Sequence, residues 1–304
     1  MTTTQTFRAA VVRTPGGPDA IELVDLPVRD PAPGEIRVRV AAAPVNPVDL
    51  AVADGYFHGI GLIDQPDRTG LGWDFSGTVE AAGEGVDLPV GTRVAGLVGG
   101  FDRDFGTYAE QLVLSASDVG LVPADLDLVA AATLPLNALT AAQLVDLLGD
   151  GGGRSLLVTG AAGAVGGYVV PMALERGWRV TGLARAADAE FMRGLGADFT
   201  AAAEPGWDAV ADGAVMQDAG VALVRDGGVF VGVQPSAPPA SERGVEIRVV
   251  GVVPDGARTT GLLADAVAGK LVTRVAGELP LADVADAHRL VAKGGVRGRW
   301  VLRP

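Results

Sequence analysis

Residues 156–167 read LLVTGAAGAVGG, and the fold follows from how that run is parsed. Leu156, Leu157, Val158 and Thr159 form a short apolar run suited to a buried strand. GAAGAVGG is a glycine-rich turn, and GYVVPMALERG continues with helical spacing. A glycine turn placed between a strand and a helix is the context in which such a motif marks a dinucleotide site. Gly163 would let backbone approach a pyrophosphate, Gly166 would let helix and strand pack closely, and the N–H groups of the helix start would meet the phosphates. Ala161 stands where the usual fingerprint has its first glycine, and Gly160 just before it supplies the turn. The candidate cofactor contacts are therefore Gly160, Ala161, Ala162, Gly163, Ala164, Val165 and Gly166. An ordinary strand-to-helix turn is the plain alternative, and the placement favours the cofactor.

One strand further on, WRVTGLAR ends in Arg185. An acid at that strand end would bind a ribose 2′-hydroxyl, whereas a guanidinium suits a 2′-phosphate. Asp188 follows only in the next turn, so the reading is NADPH. The competing view of Arg185 is a solvated residue at a helix start. Val233 and Gln234 close the strand GGVFVGV, at the carboxyl end where ligands of open α/β sheets bind.

From Ser155 onward strands alternate with helical stretches: SLLVT, WRVTGL, WDAVADG, GGVFVGV and EIRVVGVV, with GAVGGYVVPMALERG, ADAEFMRGLG and AVMQDAGVALVRDG between them. That alternation predicts an α/β, doubly wound parallel sheet. After Asp255 two more helices and a closing strand GRWVLRP are expected. Upstream, the period-2 runs RAAVV, IELVDL, EIRVRVAAA and SGTVEAAG are separated by turn-rich TPGGPD, DPAPGE and GEGVDLPVG, which predicts a barrel-like β unit. A helical run rich in Ala and Leu begins near Asp127. The expected division is 1–124, completed by 265–304, around 125–264.

With a formal charge of −13 and 48% hydrophobic residues, the 304-residue chain can build a core but offers no surface for nucleic acid. It has no cysteine and only two histidines, His58 and His288, so no thiol chemistry or cysteine-ligated zinc is available. Nothing resembles a leader or a membrane span of roughly 20 apolar residues, and the expectation is a cytoplasmic protein.

Several separated segments resemble the zinc-independent quinone oxidoreductases of the medium-chain dehydrogenase/reductase superfamily. They are VNPVDLAVADGYF from Val45, GWDFSGTVEAAGEGV from Gly72, GTRVAGL from Gly91, GTYAEQLVL from Gly106, the turn from Gly160, LGAD from Leu195 and HRLVAKGGVRGRWVL from His288. The ordered set spans nearly the whole chain. The resemblance implies a GroES-like β domain completed by the C-terminal segment, a Rossmann domain inserted within it, and a cofactor held in the cleft between them. Zinc alcohol dehydrogenases of the same superfamily would place a cysteine near Asn46 and a histidine near Trp73, and neither is present.

Without a metal, hydride transfer must rely on positioning, which suits already activated electrophiles: quinones and α,β-unsaturated carbonyls. By resemblance Asn46 faces nicotinamide and substrate, and an N-cap role for it is the alternative. Tyr56 and Phe57 stand where many relatives carry a tyrosine that meets substrate, in a register that could favour either. Thr140 resembles a position that meets the nicotinamide amide or phosphates, with a helix hydroxyl bonded to its own backbone as the other view. His58 reads as an exposed loop residue, His288 as a helix-surface one, and Asp49 and Asp74 as structural. Residues 245–253, VEIRVVGVV, read as a terminal strand that by resemblance pairs with its copy in a homodimer. An enoyl-thioester reductase and a non-catalytic NADPH-binding sensor stay open, the former calling for a basic patch of which only Arg68 and Arg103 are visible.

Overall fold

The computed structural model describes residues 5–304, which separate into two compact units: 5–136 with 253–269 and 273–304, and 137–252 with 270–272. The first unit opens with β1 (Thr6–Val12) and β2 (Ile21–Pro27), an antiparallel pair joined through Gly17 in the left-handed region. β3 (Glu35–Pro44) follows, then α1 (Pro47–Ala53), α2 (Tyr56–Gly59), the short β4 (Thr69–Gly70), β5 (Asp74–Ala82), β6 (Arg93–Leu97), β7 (Gln111–Ser115), β8 (Val119–Leu121) and α3 (Leu128–Ala132). β3 shifts register twice against β5, and such irregularities bend a strand so that a sheet can curl. Gly77 is part of that closure, because a Cβ there would lie 2.2 Å from the Arg39 carbonyl oxygen. Ile36, Val38, Phe75, Val79 and Leu112 fill the interior. The helical run after Asp127 is broken in two: Pro135 cannot continue the preceding hydrogen bonds, and α4 (Pro135–Leu148) begins there.

In the second unit β9 (Ser155–Thr159), α5 (Gly166–Glu175), β10 (Arg179–Leu183), α6 (Ala189–Gly194), β11 (Asp198–Thr200), β12 (Trp207–Asp212), α7 (Asp218–Val221), β13 (Val224–Gly232) and β14 (Glu246–Val249) build a six-stranded parallel sheet. Its order is β11-β10-β9-β12-β13-β14, the doubly wound arrangement expected from the strand-helix alternation. The winding reverses between β9 and β12, so the crevice at their carboxyl ends is the place where such sheets bind ligands. Two stretches differ from expectation. AVMQDAGVALVRDG forms only one turn of helix, because β13 starts at Val224, whose side chain is buried in the core with Phe230. EIRVVGVV pairs only through Glu246–Val249.

The chain then returns to the first unit as α8 (Gly256–Val267), β15 (Val275–Pro280), α9 (Val284–Lys293) and β16 (Arg299–Arg303). Asp255 caps α8 by accepting from the Arg258 N–H at 2.8 Å. Gly256 lets that helix sit on β8, since a Cβ would meet the Val119 carbonyl oxygen at 2.3 Å. β16 pairs β3 and completes the first unit's larger sheet in the order β15-β16-β3-β5-β6-β8, with β7 on the other part of β3.

Candidate functional site

In the second unit the turn after β9 divides its labour. Gly160 takes φ +57°, and a Cβ there would press on Ala214 at 3.1 Å. Gly166 has no room for any side chain: its Cβ would lie 2.4 Å from the Gly160 carbonyl oxygen and 2.8 Å from the Ala161 Cα. Ala161 and Ala162 are buried, whereas Gly163 is exposed and Ala164 and Val165 are half-buried, so the tip of the turn faces outward. The Ala161 methyl finds its space opposite Gly182 on β10, where a Cβ would approach it to 2.9 Å. A narrow cradle of this kind fits a pyrophosphate lying on the start of α5.

Arg185 stands just beyond β10 with its side chain 63% exposed, and its Nε donates to Asp188 Oδ2 at 3.0 Å. Asp188 itself is buried, so the charge presented to solvent there is the guanidinium. Val233 and Gln234 follow β13 half-buried, and Gln234 Oε1 accepts from Gln217 Nε2 at 3.1 Å. Thr140 is buried within α4.

Sequence reasoning missed the segment 213–217, which locks onto the glycine turn. Asp212, buried at the end of β12, accepts from the Thr159 hydroxyl at 2.5 Å and from the Gln217 N–H at 2.9 Å. The Ala214 N–H donates to Thr159 Oγ1 at 3.1 Å. Val215 and Gln217 both take positive φ, near 57° and 54°. For a β-branched residue that conformation is costly and persists only where surrounding contacts impose it. Only the position of Asp212 at a strand's carboxyl end could have flagged this segment.

In the first unit Asn46 is both a cap and a network member. It precedes α1, its N–H donates to Asp49 Oδ2 at 2.9 Å, and its side-chain amide donates to Asp74 Oδ1 at 2.8 Å. Asp49 also accepts from the Gly72 N–H at 2.9 Å. Both carboxyls are fully enclosed. Burial pushes Asp49 up to about 6 although the bonds from Asn46 and Gly72 oppose it. Burial and then the neighbouring Asp49 push Asp74 up to about 7, against the pull of Arg299.

Beside this network lies an aromatic cluster. Phe57 is buried, with its ring centroid 4.1 Å from that of Phe101, and Phe101 lies 4.9 Å from Trp73 in edge geometry. Tyr56 is 41% exposed and meets Phe57 edge-on at 5.0 Å. Of the two, only Tyr56 carries a hydroxyl, and it is the outward one. The Arg103 guanidinium covers Trp73 at 4.8 Å while donating to the carbonyls of Val98 and Gly72. The Trp73 indole N–H is buried and has no hydrogen-bond acceptor. Phe101 and Arg103 lie in the loop GGFDRDFG, which shows no helical or strand period.

Both histidines depart from their sequence readings. His58 pairs with Thr69, Nε2 to Oγ1 at 2.9 Å, so it is not a loop residue without a partner. His288 is fully buried and packs edge-on against Tyr108 at 5.9 Å, because α9 turns that side of its surface into the core. The donor set does not fit a zinc ion. Around Asn46 and Trp73 there is no cysteine or histidine ligand pair, and among the described residues no group of three or more His, Cys, Asp or Glu could hold a metal.

Two family models match the chain: the alcohol dehydrogenase GroES-like domain over residues 32–124 and the zinc-binding dehydrogenase over 187–302. A chloroplastic quinone-oxidoreductase homolog of Spinacia oleracea is 32% identical over 190 residues, covering 60% of this chain and 56% of that protein, so the matched part is little more than half of the relative. A chloroplastic NADPH-dependent alkenal/one oxidoreductase of Arabidopsis thaliana is 28% identical over 98% of this chain and 80% of its own length. Among solved structures, the quinone oxidoreductase from Coxiella burnetii shares the fold with a TM-score of 0.85 at 24% identity, covering 99% of this chain and 100% of that one.

Proposed function

Because the chain belongs to the medium-chain dehydrogenase/reductase superfamily, with its GroES-like and dehydrogenase domains, we propose that it is an NADPH-dependent reductase of quinones and α,β-unsaturated carbonyl compounds that works without zinc. The observation that carries this reading is the aromatic cluster built around Trp73, near which, by resemblance, zinc relatives place a histidine ligand. Phe57, Phe101 and Trp73 offer apolar aromatic surface against which a conjugated ring or enone could pack. Bound NADPH supplies a hydride. With that cofactor bound, the chain's part would be to hold the conjugated acceptor beside the aromatic cluster and to donate to the oxygen on which charge develops, with water supplying the proton. We assign the Trp73 indole N–H, together with the Asn46 amide, as donors for the oxygen on which charge develops. The glycine turn holds the pyrophosphate and the exposed Arg185 takes the 2′-phosphate, with Thr140, Val233 and Gln234 as further contacts.

Purified protein is expected to oxidise NADPH with saturable dependence on a quinone or enone, unchanged by o-phenanthroline or EDTA and slower with NADH. Replacing Arg185 by Ala should lower the NADPH-over-NADH preference by about tenfold or more, the worth of a charge-assisted hydrogen bond to phosphate. A reaction inhibited by chelators, or a preference unmoved by that substitution, would count against the metal-free and 2′-phosphate assignments respectively. A reductase drawing on NADPH belongs where that cofactor is regenerated, and we place it in the cytoplasm, to be checked by cell fractionation.

We extend the proposal to a homodimer formed through β14, the terminal strand of the six-stranded sheet. Light scattering on the eluting protein should read twice the chain mass of 30.7 kDa, and Ile247→Arg should shift it toward the single chain. A wild-type protein of single-chain mass at micromolar concentration would refute the dimer.

A further inference from the structure

We propose that a cavity in the first unit, apart from the residues assigned to reduction, binds a small carboxylate carried on an apolar body. The cavity holds about 480 Å³, within the range of small-ligand sites. Its walls include Arg29, Arg37, Arg68 and Arg103, against a single lining carboxylate, Asp104. Glu35, Asp30 and Glu80 pair with these arginines from outside the lining, so what the cavity presents is a cluster of guanidinium groups rather than a surplus of charge.

The partners these arginines already have leave binding capacity unused. Arg29 forks onto Glu35 at 2.7 and 3.1 Å, Arg37 reaches Asp30 at 3.1 Å and the Arg29 carbonyl at 3.3 Å with its Nε 3.9 Å from Glu80 Oε2, and Arg68 reaches Asp104 at 3.1 Å. Arg103 is spent on two backbone carbonyls. Yet the Nε atoms of Arg37, Arg68 and Arg103 are each buried without a hydrogen bond. Desolvated charged donors lacking acceptors are unfavourable, and a ligand bringing acceptors would relieve that cost.

The remaining wall is apolar and includes Phe7 and Phe105, packed edge-on at 5.5 Å. A planar carboxylate matches the guanidinium fork, and an alkyl or aryl body matches the phenyl rings. A bare phosphate would gain nothing from those rings. Arg103 also covers Trp73, so occupancy would be felt at the aromatic cluster. The inference does not depend on the reductase reading, because it concerns binding alone.

The test is calorimetry with octanoate, benzoate and inorganic phosphate on the wild type and on Arg68→Gln, a residue in a partly exposed ion pair whose loss should leave the melting temperature close to wild type. Octanoate or benzoate should bind with submillimolar Kd and one-to-one stoichiometry, and Arg68→Gln should weaken that binding by about fivefold or more. Arg29→Gln, at a second lining arginine with its own ion pair, should weaken it likewise. Absence of binding at millimolar carboxylate, equal affinity in wild type and both variants, or phosphate binding as tightly as octanoate would each overturn the proposal.

Discussion

Gly166→Ala is expected to reduce NADPH affinity by about a hundredfold or more, with a loss of stability of about 1–3 kcal/mol from overpacking. The atoms that a new Cβ would strike are backbone: the Gly160 carbonyl oxygen at 2.4 Å and the Ala161 Cα at 2.8 Å. Neither can move aside by a rotamer change, so the turn and the start of α5 must separate, and the N–H groups that would cradle the pyrophosphate lose their alignment. Gly163→Ala is the milder companion: that residue is exposed, and its Cβ would press on one backbone atom, the Gly160 carbonyl oxygen at 2.9 Å, so a smaller loss is expected. Fluorescence titration with NADPH and thermal melting separate the two effects. An affinity for Gly166→Ala within about threefold of wild type would remove the turn from the cofactor site.

The second large effect concerns acid stability. Burial holds the His288 imidazole down to about 4, and neither ring nitrogen has a hydrogen-bond partner. The unfolded chain takes up the proton near 6.5, so the contribution of neutral His288 is complete above that value and is lost as the pH falls toward about 4. At pH 4.5 the loss should reach about 2–3 kcal/mol. Asp49 and Asp74 act in the opposite sense: raised to about 6 and about 7, they favour the folded state when protonated, and their stabilisation is lost as the pH rises through those values. Tyr108 lies against both His288 and Asp49, so the groups share one interior. His288→Leu should therefore be more stable than wild type at pH 4.5 relative to its standing at pH 7.5, measured by urea unfolding at each pH. Parallel pH profiles for the two proteins would show that His288 is already charged or solvated in the folded state.

What was legible from residues alone is what repeats along the chain or depends on local backbone. The strand–turn–helix of residues 155–175 is readable because apolar runs and glycines report directly on backbone geometry, and the alternation downstream sets the parallel sheet. The glycine turn is readable for the same reason, since it sits at the start of a helix, whereas Asn46 is picked out by its motif's resemblance to the family. The ordered motifs added the family. Burial was not legible. His288 occupies a strongly amphipathic helix whose buried side is decided by where α9 packs, not by the residue itself. Phe101, Arg103, Trp73 and Phe57 come from three separate segments, and only folding brings their rings within 5 Å of a neighbour. Likewise Arg29, Arg37, Arg68 and Arg103 are scattered charges in sequence and one cavity wall in space. Local propensity and turn chemistry act over a few residues and so can be read along the chain; pKa shifts, aromatic stacking and charge clustering depend on distances that tertiary packing alone decides.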